Sequence, residues 1–267
     1  MLLVLFALLS LAAAAFALAS GAPVWQAALL FIGCFLALNL LYVIFWVLVA
    51  STVDDTKPLE KRRGICHFGC ASISGWLCAW AGVRVKVKGE ELLPTEGRFV
   101  LVCNHRSMFD PIVTTHKLRR YNIAFISKPS NLKLPYIGKL AYGAGFLPID
   151  RENDRNALRT ILTAADYIKR DFCSIAIYPE GTRSKGEEML PFHAGSFKIA
   201  QRAGVPLVIA RVGGTERIHE HFPWRPTKVT LEILELLPAE TVKGMSTQEL
   251  SAYSRERMEK AMKGDAA

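Results

Sequence analysis

No charged side chain occurs before Asp54. That absence excludes an ordinary water-facing helix from the first fifth of the chain, because such a helix needs a polar face. Residues 1–19 (MLLVLFALLSLAAAAFALA) are apolar throughout, and Ser20-Gly21-Ala22-Pro23 breaks the run. Residues 25–50 are apolar again, with Gln26 and Asn39 as polar exceptions. A membrane helix needs about 20 such residues. The pattern predicts an anchor over residues 1–53, made of one or two apolar helices. The first run also ends in Ala17-Leu18-Ala19, which resembles a signal-peptide cleavage site, but the positive start of such peptides is missing.

Other absences narrow the chemistry. The G-x-S-x-G elbow, the P-loop and the H-E-x-x-H pattern do not occur, so the common serine-hydrolase, nucleotide and zinc-protease stations are excluded. Gly143-Ala144-Gly145 lacks the third glycine of a dinucleotide loop. The six cysteines form no paired framework, which fits a reducing compartment. Cys66, His67 and Cys70 could begin a metal site, but no second pair stands at the required spacing, and no metal is expected. No long Lys/Arg block appears, so nucleic acid is not an expected partner.

The formal charge of +9 falls entirely after the apolar part. A basic domain tied to apolar helices points to an anionic membrane face or an anionic substrate. Lys57, Lys61, Arg62 and Arg63 follow the second apolar run, and positive flanks stay cytoplasmic. The expected location is the cell membrane, with the remaining domain on its cytoplasmic face. Residues 54–84 read as a basic linker followed by an interfacial helix. Segment 71–82, with Trp76 and Trp80 four apart, is too short to span; it suits either an interfacial amphipathic helix or a core helix.

From 85 to 267, short apolar runs alternate with helical patterns. Strands are expected at 98–103, 122–127, 145–149, 172–178, 205–212 and 228–236. In 153–170, Leu158, Ile161, Leu162, Ala165 and Ile168 fall on one helical face. A helix over 195–203 would end at Gly204, and Ser246 with Glu249 makes a capping box for a terminal helix. This alternation predicts an α/β domain with a mostly parallel sheet flanked by helices. Residues 132–140 mix apolar side chains with lysines, which suits an acyl-chain groove, a membrane contact or a core helix equally.

Sheets of this kind bind ligands at the carboxyl ends of their strands. The polar residues that follow the runs are Asn104-His105, Lys128, Asp150-Arg151 and Glu180-Gly181-Thr182-Arg183. His105 and Asp110 are five apart. On one helix they would diverge by about 140°, so they meet only across a turn at 104–106. An imidazole so held can take a proton from an alcohol. The same stretch also reads as caps: Ser107 to Asp110 is a capping-box pattern, and Asp110-Pro111 resembles an N-cap before a first-turn proline. Cys103 permits a covalent acyl-cysteine, against a plain core thiol. Lys128, Arg151 and Arg183 could receive a phosphate or stand as solvated charges.

Together these residues resemble the glycerolphosphate acyltransferase superfamily, in particular the 1-acyl-glycerol-3-phosphate (lysophosphatidic acid) acyltransferases. Asn104, His105, Ser107 and Asp110 match the family's Asn-His-x-Ser-x-x-Asp motif. "GFLPIDR" at 145–151 looks like its phenylalanine-hydrophobic-Asp-Arg motif, with Pro148 inside. Pro179 to Ser184 reads Pro-Glu-Gly-Thr-Arg-Ser in full, and "VPLVIA" at 205–210 looks like the Val-Pro motif. The resemblance covers roughly residues 85–240. One departure lies in "PFHAGSF", where His193 and Ala194 replace a lysine pair of many members. His219 and His221 fall outside the motifs.

The resemblance implies transfer of a fatty acyl group from acyl-CoA or an acyl carrier protein thioester to the sn-2 hydroxyl of 1-acyl-glycerol-3-phosphate, giving phosphatidic acid. His105 would be the base and Asp110 its orienting carboxylate. Arg151, Thr182 and Arg183 would hold the acceptor's phosphate, and Glu180 and Gly181 would shape that site. Asn104, Ser107 and Lys128 complete the expected substrate-binding set. Lys128 or a backbone N–H near the first motif would stabilise the oxyanion. The implied partners are membrane phospholipids, lysophosphatidic acid and the thioester donor, with no bound cofactor. Another lysophospholipid or amino-lipid acceptor, or a non-catalytic membrane lipid-binding protein, remains open at this point.

Overall fold

A computed structural model describes residues 2–264 other than 62, 151, 152, 185 and 187. Arg151 and Arg62, both singled out above, lie outside the described residues. The chain divides into two compact units, Met1–Asp54 and Asp55–Ala267.

The first unit is a helical hairpin of α1 (Leu2–Ala19) and α2 (Val24–Ser51). The 18 and 28 residues correspond to about 27 and 42 Å of helix, against a hydrocarbon core of about 30 Å. Large apolar side chains point outward along both helices, among them Leu8, Leu11, Phe16, Leu36 and Leu48. Two polar side chains are satisfied within the helix. Ser10 Oγ donates to the Phe6 carbonyl and Asn39 Nδ2 to the Phe35 carbonyl, both at 2.8 Å. A helix keeps its own backbone bonds, so an apolar exterior without exposed polar backbone suits a bilayer.

The second unit begins with α3 (Gly64–Trp80) and β1 (Val83–Lys88). Strand β2 (Val100–Cys103) leads into α4 (Phe109–Lys117), and β3 (Ile123–Ser127) into α5 (Pro129–Leu132) and α6 (Ile137–Gly143). Then come β4 (Leu147–Pro148), α7 (Asp154–Lys169), β5 (Ser174–Ile177) and α8 (Lys198–Ala203). Strand β6 (Leu207–Gly213), α9 (Ile218–His221), β7 (Thr227–Leu237), α10 (Ala239–Gly244) and α11 (Thr247–Gly264) complete it.

Seven strands form one sheet in the order β1-β7-β6-β2-β5-β3-β4. Among the described residues, only the β6–β7 pairing is antiparallel. The expected α/β architecture and mostly parallel sheet are therefore present. Side chains alternate across each strand. In β2, Val100 and Val102 face a core shared with α7, α8, α10 and α11, while Leu101 and Cys103 face one shared with α3 and α4. The central strands β2 and β5 are buried on both faces, which is why they read as unbroken apolar runs.

Six of the strands fall inside or beside the expected runs. The seventh, β1, has no counterpart among them. Its sequence VRVKVK alternates apolar and cationic residues, and it lies at an edge, where Lys and Arg side chains blunt further pairing. Helix α3 begins seven residues before the expected 71–82 segment. Its buried side includes Cys66, Ala71, Ser74 and Cys78, and it packs against α4 and α6. The contact with α4 is close: a Cβ on Gly75 would lie 2.6 Å from Nδ1 of His116. Burial pushes the Cys66 thiol up and the Cys70 thiol to about 12, so both stay protonated packing groups. The expected helix over 195–203 is a 3-10 turn, Ala194–Phe197, running into α8, and Gly204 closes it at φ +71°. Ser246 and Glu249 exchange the two bonds of a capping box, 2.7 and 3.2 Å.

Candidate active site

Strands β2, β5 and β3 are neighbours running the same way, so their carboxyl ends lie side by side, spaced about 4.8 Å. His105 follows β2, Glu180 to Arg183 follow β5, and Lys128 follows β3. One edge of the sheet thus gathers residues that are far apart in sequence.

The turn expected at 104–106 exists. The Asn104 side chain anchors it, with Nδ2 donating to the Val212 carbonyl (2.9 Å) and Oδ1 accepting from the Val212 N–H (2.8 Å). That pair of bonds imitates a strand contact and ties the end of β2 to β6. Helix α4 starts at Phe109, so Asp110 lies in its first turn and reaches back. His105 Nδ1 and Asp110 Oδ2 are 2.8 Å apart. The same Oδ2 accepts the backbone N–H groups of Arg106 (2.7 Å) and Ser107 (2.8 Å), and Oδ1 accepts the Thr215 hydroxyl. Asp110 is fully buried, and a buried carboxylate needs this number of donors. With Nδ1–H donating to the carboxylate, Nε2 is left as the basic nitrogen.

The capping pattern holds only in part. Ser107 Oγ accepts from the Phe109 N–H at 3.2 Å, while Pro111 is the third helical residue rather than the first. Asp110 therefore does not serve as an N-cap to it.

Two further groups hold His105, one at its ring and one at its backbone. The ring of Tyr178 stacks on it, with centroids 4.2 Å apart and planes at 11°, and Phe125 backs Tyr178 at 5.6 Å. Glu180, buried, takes the His105 N–H on Oε1 (2.6 Å) and the Leu190 N–H on Oε2 (2.9 Å). Burial pushes the Glu180 carboxyl up, and the two N–H bonds pull it back down. Burial and the charge of Asp110 raise the Tyr178 phenol well above its ordinary range. Past Gly181, whose φ of +75° favours glycine, the chain returns to His105: the Ser184 N–H donates to the His105 carbonyl at 2.8 Å. This return leaves Thr182 and Arg183 exposed beside the pair.

Lys128 is exposed at the end of β3. Strand β4 pairs with β3 and leads to Asp150, the last described residue before Arg151. Cys103 is buried, and burial raises its thiol well above the ordinary range, so it packs as a neutral side chain rather than a thiolate nucleophile. An apolar cavity of about 280 Å³ lies against the same edge, lined by Ile126, Ile149, Ile161, Ile177, Tyr178 and Gly181 among others. Residues 132–140 do not line it.

Comparison with known proteins fits this geometry. The Acyltransferase family profile matches residues 84–212. The 1-acyl-sn-glycerol-3-phosphate acyltransferase of Escherichia coli (strain K12) is 31% identical over 233 residues, covering 84% of this chain and 90% of that protein. The chain belongs to the 1-acyl-sn-glycerol-3-phosphate acyltransferase family. A putative 1-acyl-sn-glycerol-3-phosphate acyltransferase of Caenorhabditis elegans, acl-2, is 30% identical over 190 residues, covering 70% and 67% of the two chains. The crystal structure of the 1-acyl-sn-glycerophosphate (LPA) acyltransferase PlsC from Thermotoga maritima superposes with a TM-score of 0.64 at 25% identity, covering 75% and 80%. Membership in the family makes the chain an O-acyltransferase of the 1-acylglycerol-3-phosphate type, and its two apolar helices are consistent with membrane anchoring.

Sequence reasoning missed two side chains that hold the His105–Asp110 pair, Tyr178 and Thr215. Tyr178 closes an expected apolar run, within reach of the rule that collects His105 and Glu180, while Thr215 lies three residues past another run, behind Gly213 and Gly214.

Proposed function

We propose that the chain moves a fatty acyl group from a thioester, acyl-CoA or acyl carrier protein, to the sn-2 hydroxyl of 1-acyl-glycerol-3-phosphate at the cytoplasmic face of a membrane, yielding phosphatidic acid. The observation that carries this reading is the His105–Asp110 contact at 2.8 Å, at a sheet edge where cations also gather.

Nε2 of His105 takes the hydroxyl proton while that oxygen attacks the thioester carbonyl. The tetrahedral adduct collapses and expels the thiolate, which recovers the proton from the imidazolium. Asp110 orients the ring and stabilises its cationic form, work worth about 10²–10⁴ in rate. Thr215 and the amides of Arg106 and Ser107 hold Asp110 in place. Arg183, Thr182 and Arg151 are assigned to the acceptor's phosphate, since a guanidinium fork matches that group. Glu180 and Asn104 position the His105 backbone from below, through their bonds to His105 and Val212. The amides of 105, 106 and 107 are all engaged by carboxylates, which leaves Lys128 as the favoured oxyanion donor. The apolar cavity has the chemistry of a fatty chain. An activated thioester needs neither metal nor bound cofactor.

The test is product analysis with purified full-length protein, 1-acyl-glycerol-3-phosphate and each donor in turn. Phosphatidic acid should form with at least one donor, and His105→Ala should lower kcat by about 10²–10⁴. A variant that keeps full acyl transfer would remove His105 as the base. Acylation of acceptors lacking the terminal phosphate at an equal rate would remove the phosphate assignment.

A further inference from the structure

The second unit leaves large apolar side chains in the open at several places, Ile65 and Phe68 on α3 and Leu92 among them, and the most exposed stands in the segment before β7. Trp224 is 88% exposed, and Phe222 two residues earlier is 51% exposed. Scattered single exposed hydrophobics are ordinary, but contiguous ones mark an interaction surface.

Sheet topology locates this pair. Because β7 runs antiparallel to β6, Gly213 near the end of β6 faces Thr230 near the start of β7. Segment 222–226, which precedes β7, therefore opens on the edge where β2, β5 and β3 end, the edge that carries His105. Strand β1 starts at the same corner, since Val83 pairs with Thr227, and a Cβ on Gly82 would meet Pro226 at 3.5 Å. Trp80, 43% exposed, closes α3 two residues before that glycine. On the other side of the corner, Met108 beside the catalytic turn is 64% exposed, and Tyr136 and Ile137 at the start of α6 are 49% and 54% exposed. Helices α3, α4 and α9 share one core, and α6 packs on α3, so these side chains belong to one layer of one edge. From β7 to β3 that edge spans four strand spacings, about 19 Å. The flanking charge is mostly positive: segments 128–143 and 222–228 carry Lys128, Lys133, Lys139, Arg225 and Lys228 and no acidic residue, while Asp55 pairs with Lys139 and Glu216 and Glu220 lie near Lys228.

The geometry points to a lipid-bilayer contact formed by Phe222 and Trp224 together with Trp80, Met108, Tyr136 and Ile137, which seats the mouth of the active site on the leaflet surface. Its occupant is the anionic headgroup–acyl boundary of a membrane. Amphipathic aromatic rings settle at that depth, and neighbouring Lys and Arg meet anionic lipid. The inference rests on the reading of the chain as a lipid acyltransferase tethered by apolar helices. It adds that the tether is not the sole contact: the catalytic unit carries its own, on the edge where a lysolipid hydroxyl has to reach His105. Leu158 and Leu162, exposed on α7, lie on the opposite layer and are not part of it.

The test uses the full chain reconstituted in phosphatidylcholine–phosphatidylglycerol vesicles whose acyl chains carry bromine near the headgroup. The emission of Trp224 is taken as the difference between wild type and Trp224→Phe. Contact predicts a blue-shifted difference spectrum that brominated lipid quenches. It also predicts that Phe222→Ser/Trp224→Ser raises KM several-fold for a long-chain lysolipid held in vesicles, with unchanged kcat/KM for a short-chain, water-soluble one. A difference spectrum with water-like emission and no quenching overturns the proposal. So does a blue shift that depends on protein concentration instead of lipid, which would assign the patch to a second copy of the chain. Equal loss on both substrates overturns it as well, because a merely structural role would act on both. The quenching readout needs no turnover, so a failed acyltransferase assay and a failed membrane contact are told apart.

Discussion

The two units of this chain use apolar side chains in opposite ways. In the hairpin, Leu36 on α2 is 58% exposed, and in the catalytic unit Leu101 on β2 is fully buried. The first leucine contributes by being apolar at some place along a helix; the second by filling one shape between β5, β6 and α4. Lipid replaces neighbours at no loss of environment, whereas a close-packed interior does not. The hairpin therefore stores its information in composition, and the second unit stores its in position.

The largest expected effect comes from identical truncations in the two places. Leu101→Ala should cost about 2–5 kcal/mol in a thermal or chemical melt of the catalytic unit, the usual range for a buried leucine. Leu36→Ala should leave that melt unmoved, and equal shifts for both would erase the contrast. Next in size is a change of kind rather than volume. Leu36→Arg should oppose membrane insertion by about 2.5–3.5 kcal/mol, read as the fraction of protein resisting carbonate extraction. Insertion as efficient as wild type would remove α2 from the bilayer.

A smaller effect is expected between α3 and α4. Gly75→Ala places a methyl against the His116 ring and should cost about 1–3 kcal/mol by overpacking. His116→Ala in the same background should recover part of that loss, and an absence of recovery would mean the clash lies elsewhere. The smallest effect is a pH slope. Burial holds the Glu180 carboxyl above its ordinary 4.5, so the folded chain binds that proton more tightly than the unfolded chain. The contribution of Glu180 to stability then falls as pH rises from about 4.5 through the raised value. Glu180→Gln should flatten that part of the stability–pH curve, measured by melts in steps between those limits. A slope unchanged by the substitution would show that the carboxyl titrates normally.

Much of the catalytic unit was legible because its strands are buried on both faces. Val100–Cys103 and Leu207–Gly213 read as apolar runs since nothing polar touches water there. Strand β1 was not legible, because its alternating cations match a solvated edge and carry no such run. The site was legible where chemistry follows a strand end, at His105, Lys128 and Glu180. Thr215 was harder to see: its hydroxyl matters through Asp110, a contact spanning 105 residues. Glu180, expected to shape a phosphate site, turns its oxygens inward to two backbone amides.

Composition and order alone determined that a charge-free apolar segment precedes a basic α/β domain, and that an imidazole and a carboxyl group five residues apart need a bend between them. Both follow from local rules: hydropathy sets the solvent of a helix, and helical periodicity sets which neighbours can meet. Only the tertiary structure decided that the bend is held from four sides, by Asn104 on Val212, Thr215 on Asp110, Glu180 on the His105 amide and Tyr178 on its ring. Those partners come from β6, β5 and the loops that follow them. Their convergence depends on strand order in the sheet, a property that no single segment contains.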